Sequence, residues 1–266
     1  MRGIYVSLFL LFCGISYAQD IEQNAATTTF QLSAPRISTT SVFFKDTTEV
    51  RLDFDFPESV VRYTLNGQSV SGQSTIYSSP LTLTESTTLK AKVFHPYYLE
   101  SDEVQVNVLK TLNNQSIKNI EILPSPDPKF SGLGSTGIMD MKKGSISFSS
   151  DEQWLGFQSD SISLKTIFSK PRNISKVILS SLINQSSWIF SPEKIIVFSN
   201  ENIVGSVTYS DAGMQSSTQF NFFEVPIESG NYENLNVVVY PLKNIPDWHQ
   251  GKGTKPWLFI DELLIQ

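Results

Sequence analysis

The sequence predicts an all-β protein built as two β-sandwich domains in series, and three observations predict it. Charged residues make up only 17% of the chain while aromatics make up 12%, a balance that suits sheets with Ser/Thr-rich outer faces better than helices. From Thr28 onward the apolar residues fall in short period-2 runs, with no sustained 3.6-residue period. The length of 266 residues allows two cores at ~100–150 residues per domain.

The amino terminus reads as an export signal. Arg2 precedes an apolar run over residues 4–14, and the stretch ends in Ser16-Tyr17-Ala18, a small-x-small cleavage pattern. We therefore expect a signal peptide over 1–18, a mature chain starting at Gln19, and a secreted or cell-surface/periplasmic protein. The only cysteine, Cys13, lies inside that segment, and the preceding Leu10, Leu11 and Phe12 lack the small residue of a lipoprotein-processing site. The mature chain would then hold no disulfide, zinc–cysteine site or thiol nucleophile. No later segment is apolar enough to span a bilayer as a helix, so no membrane insertion is expected after signal removal. Acidic residues number 26 against 20 basic, with no basic cluster, which excludes nucleic acid and anionic membranes as partners.

Residues 19–29 are polar and read as a flexible leader. The first domain is expected over 30–110, with strands at 41–44, 49–54, 60–65, 81–83, 87–94 and 103–109. Six or seven short strands in that length suit an immunoglobulin-like sandwich. Asn66-Gly67 is a hairpin signal, since both residues tolerate positive φ. In the run 87–94, Leu89, Ala91 and Val93 alternate with polar residues, so one face should be buried. Residues 111–116 are polar and unpatterned, the natural linker. The second domain, 117–266, opens on Pro124, Pro126 and Pro128. It continues through strands at 145–148, 154–157, 162–168, 174–183, 194–198, 203–209, 219–225, 235–240 and 257–265, a count that fits a jelly roll.

Two resemblances refine this. Arg62-Tyr63-Thr64-Leu65-Asn66-Gly67, Tyr77 with Pro80-Leu81, and Thr87-Thr88-Leu89-Lys90-Ala91-Lys92-Val93-Phe94 resemble the immunoglobulin-like C-terminal domain of chitobiases and β-hexosaminidases, with Asn66 where that family favours Asp. In the second domain three segments resemble the galactose-binding-like discoidin (F5/8 type C) module: Trp154-Leu155-Gly156-Phe157 with Asp160 and Ile162-Ser163-Leu164; Trp188-Ile189-Phe190-Ser191-Pro192-Glu193; and Trp248-His249-Gln250-Gly251-Lys252-Gly253 leading to Trp257-Leu258-Phe259-Ile260-Asp261-Glu262. The order is similar to the accessory C-terminal region of bacterial family 20 glycoside hydrolases. Their catalytic barrel has no counterpart here, so the resemblance implies accessory modules without hydrolase activity.

The residues themselves offer little for catalysis. The two histidines, His95 and His249, lie in different domains, so no triad or His-rich metal site is expected. Asp53/Asp55, Asp102/Glu103 and Asp261/Glu262 are local pairs and read as solvated charges, whereas a glycosidase needs carboxylates facing each other across a sugar. Trp154 and Trp188 sit in apolar strand sequence and read as core. Trp248, His249 and Lys252 differ, because they occupy a loop bracketed by Pro246 and Gly253. A loop indole can stack on the C–H face of a sugar while His and Lys donate to hydroxyls. A purely loop-closing role stays open. The discoidin resemblance also implies a structural Ca²⁺ held by Asp140 and Glu262, against which stand Lys142 and Lys143 in the same loop. The expected function is that of a non-catalytic accessory protein that binds carbohydrate. The alternative is a spacer or interaction module working with a separate glycoside hydrolase or envelope protein, and a hydrolase is the reading least supported.

Overall fold

The computed structural model describes residues 30–111, 117–209, 213–215 and 218–266. The expected signal, the leader and nearly all of the linker lie outside the described residues. The chain divides into two compact units, one comprising the residues up to Thr40 with Thr48–Val108, the other Ser41–Thr47 with Leu109–Gln266.

The strands of the amino-terminal half are β1 (Arg36–Thr39), β2 (Phe43–Phe44), β3 (Thr48–Asp53), β4 (Val60–Thr64), β5 (Thr75–Ile76), β6 (Leu81–Leu83), β7 (Thr87–Phe94) and β8 (Val104–Lys110). They form a three-stranded sheet, β1-β3-β6, and a second sheet in the order β8-β7-β4-β5; β2 belongs to the other unit, where it pairs in parallel with Leu109 and Lys110. The alternation read in β7 is realised: Leu89, Ala91 and Val93 are fully buried, while Lys90 and Lys92 pair with Glu103 and Glu100 at 2.8 and 2.7 Å. The Asn66-Gly67 signal does not close a two-residue hairpin. Gly67 does adopt φ 73° and its N–H donates to the Thr88 carbonyl at 3.1 Å. The Asn66 side chain, however, accepts from the Gln68 N–H, and this Asx turn carries the chain on until β5 pairs back onto Arg62 and Tyr63.

The second unit contains β9 (Ile117–Leu123), β10 (Leu155–Phe157), β11 (Ile162–Ile183), β12 (Pro192–Ser199), β13 (Asn202–Thr208), β14 (Gln219–Pro241) and β15 (Leu258–Ile265). Two pairs of expected strands are each one long strand, because the ladder between them continues through the intervening stretches. Around Pro171 in β11 and Gly230 in β14 the pairing shifts register between Ile167/Arg172 and Ile174/Lys176, so both strands bend together instead of ending. The first half of β11 pairs with β9 and the second half of β14, which continues to β12 and β13. The second half of β11 pairs with the first half of β14 and with β15, which continues to β10. The result is a sandwich of two layers that share two bent strands. The expected strand at 145–148 is instead irregular chain entering a short 3-10 turn, Phe148–Ser150.

All eight residues of β15 are buried, so both its faces are covered. Leu258 and Ile260 join the main core with Leu263 and Ile265, whereas Phe259 joins a second cluster with Trp154, Leu182 and Ile189. The parity changes between Ile260 and Leu263 because the ladder slips there: Glu262 opposes Ser180 and Ile260 opposes Ser181. Asp261 is the extra residue of a β-bulge.

The faces of β11 give a direct test of its register. Leu164 is fully buried whereas Ile167 is 50% exposed. Leu164→Ala should cost about 2–5 kcal/mol in urea unfolding and Ile167→Ala no more than about 0.5 kcal/mol; the reverse order of losses would mean that the strand is placed one residue out.

Candidate functional site

Two loops of the second unit meet around a row of three rings. The first follows β11, where Asn184 caps a 3-10 turn, Gln185–Ser187, by accepting the Ser187 N–H at 3.1 Å. The turn ends on Trp188 in the left-handed region, φ 58°. Its N–H donates to the Gln185 carbonyl and its carbonyl accepts the Trp257 N–H at 2.8 Å. An L-residue other than Asn or Gly in this region is strained, and here it lifts the indole to 41% exposure. Trp188 is therefore not the core residue its apolar surroundings suggested.

The second loop, 246–253, is closed at its base by Ile245, whose N–H donates to the Thr254 carbonyl and whose carbonyl accepts from Gly253. Inside it, His249 Nδ1 accepts the Gly251 N–H at 3.0 Å. The proton is thereby assigned to Nε2, which donates to the Gln185 carbonyl at 2.9 Å. His249 thus staples the two loops together and has no donor left for a ligand. Its ring stands edge-on between Trp188 and Trp248, with centroids at 6.2 and 5.6 Å. Gly251 lies so close to Trp188 that a Cβ there would meet the indole Nε1 at 1.9 Å. Trp248 is 38% exposed, and Lys252 is exposed.

A groove of about 360 Å³ opens beside Trp188, lined by Gln158, Trp188, Thr254, Lys255 and Trp257. The Gln158 amide donates to the Lys255 carbonyl at 3.2 Å and Thr254 Oγ1 donates to the Gly251 carbonyl. Lys255 Nζ lies 2.7 Å from Asp160, and this hydrogen bond, with the lysine's charge, holds the Asp160 carboxyl below the usual carboxylate range. Of the sequence candidates, Trp248, His249 and Lys252 do share one loop next to this groove. Gln158, Thr254, Lys255 and Trp257, which also line the groove, were not among those candidates, and Trp188 was read as core. The polar run Asn184-Gln185-Ser186-Ser187 directly before Trp188 was the available signal, since such a cluster ends a strand.

The other candidates lie elsewhere: Asp140 opens the loop over residues 140–144, and Glu262 lies on β15 beneath it. Because of the bulge, Asp261 and Glu262 sit side by side on one face of β15. Both are fully buried, which corrects the reading of this pair as solvated charge. Glu262 Oε2 accepts the Met141 N–H at 2.9 Å. Asp261 Oδ2 accepts the Gly144 N–H at 2.7 Å and the Lys143 ammonium at 2.6 Å. Asp140 Oδ1 accepts the Lys142 N–H, and its Oδ2 accepts from Gln153. Lys143 Nζ lies 4.2 Å from both the Trp154 and Phe220 ring centroids. Burial pushes this ammonium below the usual lysine range, and Asp261 and Glu262 pull it back. A calcium ion takes about six to eight oxygens, whereas here the loop turns N–H groups and an ammonium toward the carboxylates. Among the described residues, no group of three or more His, Cys, Asp or Glu is placed to hold a metal. The donor set does not suit the ion.

Residues 39–105 match the family model of the chitobiase/β-hexosaminidase C-terminal domain. No curated protein sequence matches the chain. Among solved structures, the chain is similar to chitosan-binding module 1 from a chitosanase/glucanase of Paenibacillus sp. IK-5, at 13% identity and TM-score 0.35 over 58% of this chain and 98% of that one. It is similar to CpGH89CBM32-5 of Clostridium perfringens, in complex with GalNAc-β-1,3-galactose, at 13% identity and TM-score 0.38 over 59% and 99%. A SusE-like protein aligns over 86% of this chain and 95% of its own, at 11% identity and TM-score 0.37.

The staple can be cut separately from the platform. His249→Ala removes one acceptor and one donor from part-buried partners and should lower stability by about 1–3 kcal/mol, with faster hydrogen exchange at the Gly251 amide. Gly251→Ala should shift the Trp188 indole N–H resonance, and an unmoved resonance would contradict the close approach.

Proposed function

We propose that the chain is a non-catalytic carbohydrate-binding accessory protein and that its sugar site is the groove beside Trp188. The observation on which this rests is an exposed indole held rigidly by the backbone behind it, next to an amide, a hydroxyl and an ammonium. A pyranose offers an apolar C–H face rimmed by hydroxyls, and an aromatic ring with a few convergent polar groups is its complement. The left-handed Trp188 backbone, the Gly251 approach and the His249 staple fix the ring before any ligand arrives, which lowers the ordering cost of binding. Trp248 continues the row of rings past His249, and Lys252 is an exposed member of the same loop.

The non-catalytic reading starts from the groove lining, two indoles with an amide, a hydroxyl and an ammonium, beside which the Asp160 carboxylate is paired with Lys255. Asp261 and Glu262 are committed to the loop above them. The match of residues 39–105 to a domain named for chitobiase and β-hexosaminidase makes N-acetylhexosamine-containing glycans the first ligands to test, with galactosides beside them. Export to the cell surface, the periplasm or the medium is part of the same proposal and rests on Arg2, the apolar run and Ser16-Tyr17-Ala18.

One observation favours a second reading, a protein-interaction module that works with a separate glycoside hydrolase. In the first unit Phe56, Tyr97 and Leu99 are exposed, with Phe56 and Tyr97 grouped around the His95 ring at 5.5 and 5.8 Å. An apolar patch of this kind marks an interaction surface. Recovery of a hydrolase with the wild-type chain but not with Phe56→Ser/Tyr97→Ser would favour it.

For the sugar site, isothermal titration of the purified protein with N-acetylhexosamine and galactose oligosaccharides should show binding. Trp188→Ala should weaken it at least about tenfold, since truncating a Trp anchor costs about 2 kcal/mol or more, with a near-native melting temperature. No heat at millimolar sugar across both ligand classes would sink the proposal.

A further inference from the structure

The Asp261 bulge creates an electrostatic problem that the loop over residues 140–144 solves. Regular alternation would send Asp261 and Glu262 to opposite faces of β15; the bulge puts both on the face away from the main core, fully buried. Two unpartnered carboxylates in such a place would be untenable. Glu262 receives the Met141 N–H, and Met141 takes φ 65°. Asp261 receives the Gly144 N–H and the Lys143 ammonium, whose side chain is only 6% exposed.

The ammonium is held from three directions. Asp261 lies on one side, and the rings of Trp154 and Phe220, stacked 6.0 Å apart at 20°, present their π-systems to it at 4.2 Å each. The loop is shaped for this placement. A Cβ on Gly144 would meet the Trp154 indole at 2.4 Å, and the Trp154 Nε1 donates to the Ser145 carbonyl at 2.9 Å. Glycine next to Lys143 therefore lets the backbone lie against the ring that the ammonium also uses.

We propose that the Lys143 ammonium is the resident cation of this loop–strand junction, holding residues 140–144 onto the Asp261 bulge in the role the discoidin resemblance assigns to calcium, so that the unit keeps its stability without metal. A divalent ion at Asp261 would either displace an ammonium tethered to the chain or sit beside it against like-charge repulsion in a medium that screens poorly. The remaining oxygen, Asp261 Oδ1, is buried with no protein partner.

The test uses the full chain, first as wild type. Thermal unfolding in EDTA and in millimolar CaCl₂ should give midpoints that agree within about 1 °C, whereas a calcium site at a hundredfold its Kd would raise the midpoint by roughly 5–10 °C. A shift of that size, or heat of Ca²⁺ binding in titration calorimetry, overturns the proposal. In the second arm Lys143→Met keeps the stem between the rings and removes the charge. Leaving Asp261 buried and unpaired should lower the midpoint by roughly 10 °C; a midpoint equal to wild type overturns the proposal. Lys143→Met/Asp261→Asn removes both charges while Asn still accepts the Gly144 N–H. It should melt above Lys143→Met alone, including where the single variant does not fold, and a double variant no better than the single one counts against the ion pair.

Discussion

The organisation of the second unit depends on one strand, β15, being covered on both faces while it accommodates two carboxylates. Eight consecutive buried residues leave no solvent-facing side on which Asp261 and Glu262 could be hydrated. The bulge turns both toward one layer of structure, and that layer has to supply donors. Lys143, Gly144 and Met141 do so, which draws the loop over residues 140–144 down onto the strand and seats Trp154 beside Phe220. At its other end the same strand is preceded by Trp257, whose N–H donates to Trp188 and whose carbonyl accepts from Phe190. The ion pair at the bulge and the Trp257 backbone that meets Trp188 thus lie on one stretch of chain, so the strand that carries the bulge also braces one side of the groove.

The groove shows a division of labour among polar and aromatic residues. His249 is the residue whose chemistry looks most versatile on paper, yet its two nitrogens are fully used in joining the Gly251 amide to the Gln185 carbonyl. The exposed indoles on either side are what a ligand could meet. This arrangement trades a hydrogen-bond donor for rigidity: a ring that would otherwise sample rotamers on a glycine-rich loop is wedged between two backbone segments. Stacking recognition gains from this, because a planar platform contributes only to the extent that it is already in place.

Much of the fold was legible in the sequence because alternation is a local property. Leu89, Ala91 and Val93 announced their face, and Leu164 lay on the buried side of its strand as the pattern Ile162-Ser163-Leu164 implies. The misreadings share a cause, which is that tertiary cover is not local. The stretches between the expected strands 162–168 and 174–183, and between 219–225 and 235–240, look like turns until one sees that the two long strands stay paired through a shared bend. Trp188 looks like core because its neighbours Ile189 and Phe190 are buried, and only the Asn184 turn before it shows that the chain has left the sheet. Asp261 and Glu262 look solvated because charge in a strand usually marks an outer face, and nothing in eight residues of sequence shows that both faces are roofed. Loop chemistry fared between these extremes: Pro246 and Gly253 did bracket a loop with an exposed indole, but the histidine's role was set by Gln185, sixty-four residues away.

The buried pair also answers a question of specificity that apolar contacts leave open. Leu258, Phe259, Ile260, Leu263, Leu264 and Ile265 are all large and apolar, so sliding β15 by one residue would exchange one set of hydrophobic side chains for another at modest cost. Register is weakly specified wherever the two faces of a strand are alike. Asp261 and Glu262 are the marks that distinguish the faces, since a slip would drive a carboxylate into the cluster of Leu179, Val225 and Val237 with no donor to meet it. A buried ion pair adds little net stability compared with an apolar pair of the same size, but breaking it costs a great deal. That asymmetry makes the Lys143–Asp261 contact more effective at excluding wrong registers than at lowering the energy of the right one, and it is the right register that places Trp257 behind the groove.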